Sequence, residues 1–323
     1  MPLKSFFMRL IPRFVFRVPF LERFVFLTSR LHDALQARVY ASYERLLEEE
    51  IKEGKIPEHV AIIMDGNRRY AEKIGEARHK GHYYGAEVTN KVIDWCFDLG
   101  VRQLTLYTFS IENFNRSEEE KKELFRLIKE KFEDVCQNER IHEKKIKVRA
   151  VGELKLLPED LQQAIKRAES STAEYTNFTL NIAIAYSGRR EIVEAARYIA
   201  EKVKRGELSV EDIDENVISR HLCIGSDCCG AAGDRGGNGG VDLIIRTGGE
   251  LRLSNFIPWQ ALGNECAAYF CAPYWPEFRK IDLLRAIRTF QQREAERRST
   301  VLRALKLAKI YGDALRAKSF EWA

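Results

Sequence analysis

An aspartate, a glycine, an asparagine and two arginines follow one another at the end of an apolar run, at Asp65-Gly66-Asn67-Arg68-Arg69. Mg²⁺ in proteins is commonly held by few carboxylates together with phosphate oxygens and water. Glycine lets the backbone approach a phosphate, amides that open a helix donate to it, and arginine adds bidentate donors. These residue types in this order predict a site for a magnesium-bound diphosphate, with Asp65 as the metal ligand.

A further pair of residues that can bind anions follows a short distance later. Arg78 and His82 are four residues apart, so on a helix they would share one face and could reach the same anion. Charge that faces solvent is the alternative for an isolated pair of this kind. The pair supports a diphosphate site only in combination with the Asp65 segment.

Basic residues around two glycines form another candidate site in the second half of the chain. Arg246, Arg252 and Ser254 flank Gly248-Gly249, which permit a tight backbone path around a second diphosphate. A glycine turn with surface arginines is the alternative interpretation. The sequence contains neither GxxxxGK[ST] nor GxGxxG, so a nucleotide is not the favoured phosphate ligand.

The hydrophobic pattern predicts a framework that could bring these segments together. Six short apolar runs have the composition of strands that are covered on both faces: His59–Asp65, Leu104–Ser110, Lys147–Gly152, Leu180–Tyr186, Asp242–Gly248 and Glu265–Cys271. Amphipathic stretches of helical length separate them: Gly85–Leu99, Glu118–Glu139, Pro158–Glu174, Glu191–Arg205 and Val210–Cys223. This alternation predicts one α/β domain with a six-stranded, mainly parallel sheet flanked by helices.

Polar segments follow four of the predicted strands, where ligands of parallel sheets bind. They are Asp65 to Arg69, then Ser110-Ile111-Glu112-Asn113, then Ser187-Gly188-Arg189-Arg190, and finally Arg246 to Ser254, which includes Leu253. Because the carboxyl ends of parallel strands meet at one edge, we expect these segments to form a single site.

Composition and charge limit the classes of function. The chain has 323 residues, of which 45% are hydrophobic, enough for one large domain with a sizeable core. Its net charge of +5 suits an anionic ligand or a lipid surface but is too small to indicate nucleic acid. Seven cysteines without framework spacing favour a reducing, cytoplasmic location.

Apolar and basic residues are interleaved over residues 6–27, and no stretch reaches the roughly 18 apolar residues of a membrane-spanning helix. Such a segment can lie among lipid headgroups, where cations meet anionic lipids and aromatic rings are buried. An amphipathic helix packed against protein is the alternative. We therefore expect either peripheral contact with the inner face of the cell membrane or a protein contact.

The chain divides into three predicted parts. Residues 1–54 are expected to form a basic, amphipathic, helical extension, residues 55–298 the α/β domain that carries the candidate sites, and residues 299–323 a C-terminal helical extension. Residues 225–240 (GSDCCGAAGDRGGNGG) are too rich in glycine to pack a core and indicate a flexible surface insertion.

Four segments together resemble the cis-prenyltransferase family, which includes undecaprenyl and dehydrodolichyl diphosphate synthases. They are His59–Ala71 (HVAIIMDGNRRYA), Leu104–Ser117 (LTLYTFSIENFNRS), Leu180–Ile192 (LNIAIAYSGRREI) and Asp242–Gln260 (DLIIRTGGELRLSNFIPWQ). The GNRRY and FSIENF variants are similar to the archaeal and dolichyl-type members. The resemblance, which extends to about Arg298, implies a magnesium-dependent prenyltransferase whose parallel sheet encloses an apolar tunnel for the growing chain.

The resemblance also implies roles for individual residues. Asp65 and Glu265 would hold magnesium, and Asn113 would act beside Asp65 in catalysis, relaying or accepting a proton. The allylic diphosphate would be bound by Gly66, Asn67, Arg68, Arg69, Tyr70, Arg78 and His82. The wall beside the reacting ends would consist of Ser110, Ile111, Glu112, Phe114 and Arg116. Isopentenyl diphosphate would be bound by Arg246, Arg252, Leu253 and Ser254.

The implied reaction condenses isopentenyl diphosphate repeatedly with geranylgeranyl or farnesyl diphosphate to give a long-chain polyprenyl diphosphate, the precursor of a glycosyl-carrier lipid. The alternatives left open are a short-chain synthase, an enzyme that couples allylic diphosphates irregularly, and a non-catalytic partner subunit. A homodimer is expected, although the Arg-x-Gly motif found near the C-terminus of some members is replaced here by Glu296-Arg297-Arg298-Ser299-Thr300.

Overall fold

The computed structural model describes residues 38–222, 224, 240–261 and 266–320, with side chains described as far as residue 300. The chain forms two compact units, residues 1–50 and residues 51–323. The segment 6–27, nearly all of the insertion 225–240, and Glu265 lie outside the described residues. The domain boundaries given above stay predictions.

The second unit contains a six-stranded sheet of order β3-β4-β2-β1-β5-β6, in which all neighbours are parallel. The strands are β1 (His59–Ile63), β2 (Gln103–Ser110), β3 (Ile146–Val151), β4 (Phe178–Tyr186), β5 (Leu243–Arg246) and β6 (Ala267–Phe270). The predicted fold class is confirmed. The central strand β1 is buried along its whole length, which explains why its sequence is almost continuously apolar.

Helices precede, connect and follow these strands along the chain. A helix over residues 38–53, α1, comes first. It is followed by α2 (Asn67–Lys73), α3 (Lys80–Asp98), α4 (Glu118–Val135), α5 (Glu139–Glu143), α6 (Glu159–Ser171), α7 (Gly188–Lys204), α8 (Glu215–Arg220) and α9 (Lys280–Phe320). None of the helices that the structure describes is long and apolar enough to cross a membrane.

One predicted helix, Val210–Cys223, is wrong as a continuous element. The structure has a short 3₁₀ helix at Val210–Asp212 and then α8. Asp214 lies between them with an extended backbone, and its side chain accepts a hydrogen bond of 2.8 Å from the backbone N–H of Val217. Because an aspartate N-cap of this kind begins a helix, it separates the two elements.

The strand order creates a crevice between β1 and β5. The chain passes from β1 to β2 on one side of it, whereas β5 leads to β6 on the other side. The connections after β1 and β5 therefore diverge at the carboxyl edge of the sheet, and such a switch point is where ligands of open α/β sheets bind. Asp65 follows β1, and Thr247 follows β5.

A line of buried polar side chains crosses the sheet away from that crevice. His59 on β1 contacts Thr105 on β2 through Nε2 and Oγ1 (2.7 Å), and Asn181 on β4 donates to the same Oγ1 (3.1 Å). The other ring nitrogen of His59 lies 3.2 Å from the carbonyl of Gly240. Burial lowers the pKa of His59 to about 4, although the Gly240 contact partly opposes the shift. The ring is therefore neutral at pH 7.

Candidate active site

The Asp65 carboxylate lies between two arginines. Arg246 Nη2 donates to Asp65 Oδ2 (2.8 Å), and Arg69 Nη2 donates to Asp65 Oδ1 (3.1 Å). Burial alone would raise the pKa of Asp65, but the hydrogen bonds and charges of Arg246 and Arg69 outweigh it and hold the pKa below its ordinary value. Asp65 is therefore ionised at neutral pH, as a metal ligand must be.

The backbone of Asp65 is fixed as firmly as its side chain. Thr247 Oγ1 accepts from the N–H of Asp65 (3.0 Å) and donates to its carbonyl (2.7 Å). The backbone N–H of Trp275 donates to the same carbonyl (2.9 Å). Thr247, which follows β5, and Trp275, which follows β6, thus position Asp65, which follows β1. Sequence analysis did not single out either residue.

Gly66 and Gly81 allow close packing around the start of α2. Gly66 has a φ of 102°, and a Cβ at this position would lie 2.6 Å from the ring of Tyr274. A Cβ at Gly81 would lie 2.0 Å from the backbone carbonyl oxygen of Asn67, so α3 can approach α2 only because glycine is there. The side-chain amide of Asn67 donates to the carbonyl of Met64 (3.3 Å).

Tyr274 orients Arg69. The guanidinium of Arg69 lies over the Tyr274 ring, 5.1 Å from its centroid. A Cβ at Gly248 would lie 2.6 Å from Arg69 Nη2, so the glycine turn after β5 leaves room for this side chain. The neighbouring Tyr70 packs edge-on against Tyr84, with ring centroids 5.6 Å apart.

Glu120, in the first turn of α4, lies close to three of the predicted substrate-binding residues. Arg116 Nη1 donates to its carboxylate (2.9 Å), Arg68 Nη1 lies 3.7 Å away, and His82 Nε2 lies 3.6 Å away. The His82 ring, Arg116 and Arg68 lower the pKa of Glu120 to about 2, against the effect of its burial. Arg116 lies before α4 with an extended backbone, so no helical spacing in the sequence indicates its pairing with Glu120.

The prediction that Arg78 and His82 share a helix face is wrong for Arg78. Helix α3 begins at Lys80, so Arg78 lies in the turn before it. Its side chain is 67% exposed and pairs with Glu72, while the His82 side chain is 12% exposed beside Glu120. The backbone N–H groups of Lys80 and Gly81 donate to the carbonyls of Ala77 and Arg78, which makes a turn where a helix was expected.

The segment after β5 wraps around the guanidinium of Arg246. Arg246 Nη1 donates to the backbone carbonyl of Arg252 and to Ser254 Oγ (2.9 Å for the hydroxyl), and the Arg246 side chain is only 6% exposed. The Arg252 side chain is 70% exposed and lies 3.3 Å from the carboxylate of Glu250. Leu253 packs against the apolar cluster that contains Tyr186 and Phe256. The predicted second site therefore consists of a buried arginine at the end of β5 and an exposed arginine on the loop that follows it.

The turn after β2 carries the remaining predicted residues. Ser110, Ile111 and Asn113 lie at a 3₁₀ turn, in which the side-chain oxygen of Asn113 accepts from the backbone N–H of Ser110 (3.1 Å). Phe114 packs edge-on against Phe109, with ring centroids 5.0 Å apart. Glu112 accepts a hydrogen bond from Asn255 (3.0 Å), which links this turn to the segment after β5.

A mostly apolar cavity of about 160 Å³ has Asn67 and His82 in its lining. Side chains of α3, α4, β2, β3 and β4 line it, among them Ile93, Leu106, Leu127, Phe132, Val148 and Leu180. The cavity thus occupies the space between two helices and the sheet. An apolar chain attached to a diphosphate beside Asn67 would enter it.

Known proteins resemble this chain over most of its length. The model of the undecaprenyl diphosphate synthase family matches residues 63–298. A tritrans,polycis-undecaprenyl-diphosphate synthase (geranylgeranyl-diphosphate specific) of Methanosarcina mazei is 54% identical over 259 residues, which are 80% of this chain and 84% of that protein. A protein of the same name from Archaeoglobus fulgidus is 49% identical over 253 residues, 78% of this chain and 96% of that protein.

A solved structure agrees with these relatives. The lavandulyl diphosphate synthase of Lavandula x intermedia, in complex with dimethylallyl diphosphate, superimposes with a TM-score of 0.66 and is 37% identical. The match covers 73% of this chain and 95% of that one. The resemblance carried by the four sequence segments is thus confirmed: this chain belongs to the undecaprenyl diphosphate synthase family and is a prenyltransferase.

Proposed function

We propose that this prenyltransferase extends an allylic diphosphate by repeated condensation with isopentenyl diphosphate, and that its product is a long-chain polyprenyl diphosphate with cis double bonds. The observation that carries this proposal is the position of Asp65. It lies between Arg69, on the side of the Asn67 cavity, and Arg246, on the side of the Ser254 loop. Two diphosphates could therefore flank one carboxylate.

The allylic diphosphate is assigned to the Asp65 side of the crevice. Asn67 and His82 are among the residues that line the apolar cavity, so a diphosphate held beside them would have its prenyl chain next to that space. Asn67 Oδ1 is buried without a hydrogen-bond partner among the described residues, which leaves this acceptor available to a donor or a metal ion. His82 Nε2 lies 3.6 Å from the Glu120 carboxylate and lines the same cavity. Arg68, Arg69 and Gly66 supply charge and close approach. Arg78 would join them only if it left Glu72.

Isopentenyl diphosphate is assigned to the loop after β5. The exposed Arg252 and the hydroxyl of Ser254 can reach a ligand, while the buried Arg246 holds the loop and has a free, buried Nε within the described part of the chain. Holding both substrates in one crevice makes their reaction effectively intramolecular. The C–O bond of the allylic diphosphate breaks, the double bond of isopentenyl diphosphate attacks the allylic carbon, and loss of a proton forms the new double bond.

Mg²⁺ fits this crevice as the cofactor. Asp65 offers a single ionised carboxylate beside arginines, and Mg²⁺ favours few carboxylates combined with phosphate oxygens and water. The described residues contain no group of three or more His, Cys, Asp and Glu side chains that could hold a metal without the substrate. Asp65 and Glu265 would hold the ion, which neutralises charge on the departing diphosphate when it is bound. Asn113 is proposed to relay the proton that is lost.

Geranylgeranyl diphosphate is the proposed primer, with farnesyl diphosphate as the second choice. Relatives from two archaea carry names that specify geranylgeranyl diphosphate and an undecaprenyl product. A carrier lipid for glycosyl groups would be the later use of such a product. Homodimer formation and peripheral membrane contact through residues 6–27 belong to the same proposal.

Irregular coupling of two allylic diphosphates is a second candidate, since the matched Lavandula structure is a lavandulyl diphosphate synthase. One experiment separates the two reactions. The purified full chain is incubated with Mg²⁺, labelled isopentenyl diphosphate and, in separate reactions, dimethylallyl, geranyl, farnesyl or geranylgeranyl diphosphate. We expect incorporation with geranylgeranyl diphosphate and products that grow by five-carbon steps.

The controls for this experiment follow from the alternatives. Dimethylallyl diphosphate without isopentenyl diphosphate tests irregular coupling, and diphosphate release by the chain alone tests whether it needs a catalytic partner. A chain that incorporates no label with any of the four primers would refute the proposed function.

A further inference from the structure

Asn255 joins the segments that follow three different strands. Its side-chain Nδ2 donates to Ser187 Oγ (2.8 Å), after β4, and to Glu112 Oε1 (3.0 Å), after β2. Its Oδ1 accepts from the backbone N–H of Arg189 (3.0 Å). Asn255 itself follows β5. The Arg189 N–H can only donate and the Glu112 carboxylate can only accept, so the orientation of the amide is fixed by chemistry.

The contacts with Arg189 and Gly188 cap helix α7. The first N–H groups of a helix have no partner within it. The N–H of Gly188 donates to the backbone carbonyl of Asn255 (3.0 Å), and the N–H of Arg189 donates to its side chain. A Cβ at Gly188 would lie 2.1 Å from the ring of Pro258, so the segment packs directly on the helix start. Asn255 therefore ties its segment to a rigid element of 17 residues.

The residues beside Asn255 have a backbone conformation that needs such support. Ser254 has a φ of 55° and Ile257 a φ of 40°, in the left-handed region where a Cβ crowds the following carbonyl oxygen. Ser254 Oγ accepts from Arg246 Nη1 on one side, while Asn255 is held by α7 and Glu112 on the other. The left-handed backbone of this segment is retained because Arg246 holds it on one side and α7 and Glu112 hold it on the other.

We propose that Asn255 is a positioning residue for the incoming diphosphate. By capping α7 and bonding to Glu112, it holds Ser254 and the carbonyl of Arg252 in place around Arg246. The inference rests on the proposed function, in which Arg252 and Ser254 bind isopentenyl diphosphate. Asn255 is not expected to touch the reacting atoms.

The first test replaces Asn255 by alanine in the full chain. A lost hydrogen-bond set of this kind weakens binding by about tenfold, so we expect N255A to raise the KM for isopentenyl diphosphate by roughly that factor. The KM for geranylgeranyl diphosphate should stay within about twofold of wild type, because the hydrogen bonds of the Asn255 side chain go to the turn after β2 and the start of α7 and not to residues that line the cavity. A purely structural role would change both constants together. Asn216→Ala, at an exposed asparagine on α8, is the matched control.

The second test exchanges donor and acceptor. Asn255→Asp keeps an acceptor for Arg189 but places a carboxylate against Glu112, so the affinity for isopentenyl diphosphate should fall by at least about tenfold. Adding Glu112→Gln restores a donor facing an acceptor, and the double variant N255D/E112Q should recover most of that affinity. Isothermal titration of isopentenyl diphosphate with Mg²⁺ and without a primer measures this directly.

The outcomes separate the positioning role from the proposed function. An N255A protein with an unchanged KM for isopentenyl diphosphate, or a double variant that binds as weakly as N255D, would overturn the role of Asn255. If N255A does not fold, the comparison of N255D with N255D/E112Q decides whether Asn255 has this positioning role. A wild-type chain that binds no isopentenyl diphosphate would instead refute the proposed function itself.

Discussion

Asp65 and Arg246 are joined by a hydrogen bond of 2.8 Å although 181 positions separate them in the chain. The Arg246 side chain is 6% exposed, and the Asp65 side chain is 30% exposed. The parallel pairing of β1 with β5 places Ile63 opposite Arg246 and so brings the two ends together. This contact makes the crevice a single electrostatic unit, in which a change at either residue affects both proposed diphosphate sites.

Asp65→Asn should abolish turnover while the fold is retained. The amide keeps a hydrogen-bond acceptor for Arg246, although its NH2 group then faces Arg69, and it loses the charge that a metal requires, so we expect activity to fall by about 10²–10³-fold or more. Asp65→Ala should lose activity to the same extent and also unfold more easily, by roughly 3 kcal/mol, because Arg246 is left buried and unpaired. Incorporation of labelled isopentenyl diphosphate and urea unfolding measure the two effects.

Comparing Asp65→Asn with Asp65→Ala provides the control for this prediction. If Asp65→Asn retained near wild-type turnover, Asp65 would not be a metal ligand. If the alanine and asparagine variants were equally stable, the contact with Arg246 would contribute little to the fold.

The sequence predicted the sheet well because its strands are buried on both faces. The continuous apolar runs of β1 and β5 are typical of central strands in a parallel sheet, and Asp65 and Arg246 stand at their carboxyl ends. The strand order could not be predicted from these runs, since any order of parallel strands would have the same pattern. The Asp65–Arg246 contact therefore required the structure.

Other features depend on local backbone geometry that a residue pattern does not reveal. Arg78 and His82 have helical spacing, but a turn before Lys80 separates them. In the sequence Glu120 is one charge among several on an amphipathic helix, and only the fold places it against His82 and Arg68. Asn255 lies in a loop, where its four contacts come from residues distant in sequence.

Glu120→Gln should weaken binding at the proposed allylic-diphosphate site. It should also make the free energy of unfolding vary less with pH. The pKa of Glu120 is lowered to about 2, so its ionised form stabilises the native protein above the ordinary carboxyl pKa, and this contribution is lost as the pH falls through 2. Because solvent screens part of the interaction, the variant should be less stable at pH 7 by on the order of 2 kcal/mol, and the difference should shrink towards pH 3. Urea unfolding at several pH values measures it.

A kinetic effect should accompany this loss of stability. Arg68, Arg116 and His82 lose their common partner, so the kcat/KM for geranylgeranyl diphosphate should fall about tenfold. Glu119→Gln, at the exposed neighbouring position, is the control. Equal stability of wild type and Glu120→Gln at pH 7 would show that these three side chains do not stabilise the carboxylate.

Acid should destabilise the native protein through His59. Its folded-state pKa of about 4 lies below the ordinary value of 6.5, so between these values the unfolded chain binds more protons, and stability falls as the pH falls. When the ring is neutral and its Nδ1–H donates to the carbonyl of Gly240, the hydroxyl of Thr105 donates to Nε2. Protonation would place an N–H on Nε2, and this N–H would point towards the same hydroxyl. The expected loss between pH 6.5 and pH 4 is on the order of 3 kcal/mol.

His59→Gln removes this titration and tests its origin. The free energy of unfolding should vary less with pH in the variant than in wild type over that window, although the variant is less stable at pH 7. His79→Gln, at the start of α3, controls for the loss of an imidazole elsewhere. If the wild type and His59→Gln had parallel pH profiles, the acid sensitivity would come from other groups.

Leu127→Trp should shorten the product without stopping the first condensation. Leu127 lies on α4, is 6% exposed and lines the same cavity of about 160 Å³ as Asn67 and His82. A larger side chain fills space that a growing chain needs, whereas the crevice with Asp65 and Arg246 is unchanged.

Overpacking costs about 1–3 kcal/mol, so thermal unfolding must confirm that the variant is folded, and Leu127→Met is the volume-conserving control. Mass spectrometry of products made from geranylgeranyl and labelled isopentenyl diphosphates gives the chain lengths. A wild-type product distribution from folded Leu127→Trp would mean that the growing chain leaves the crevice by another route.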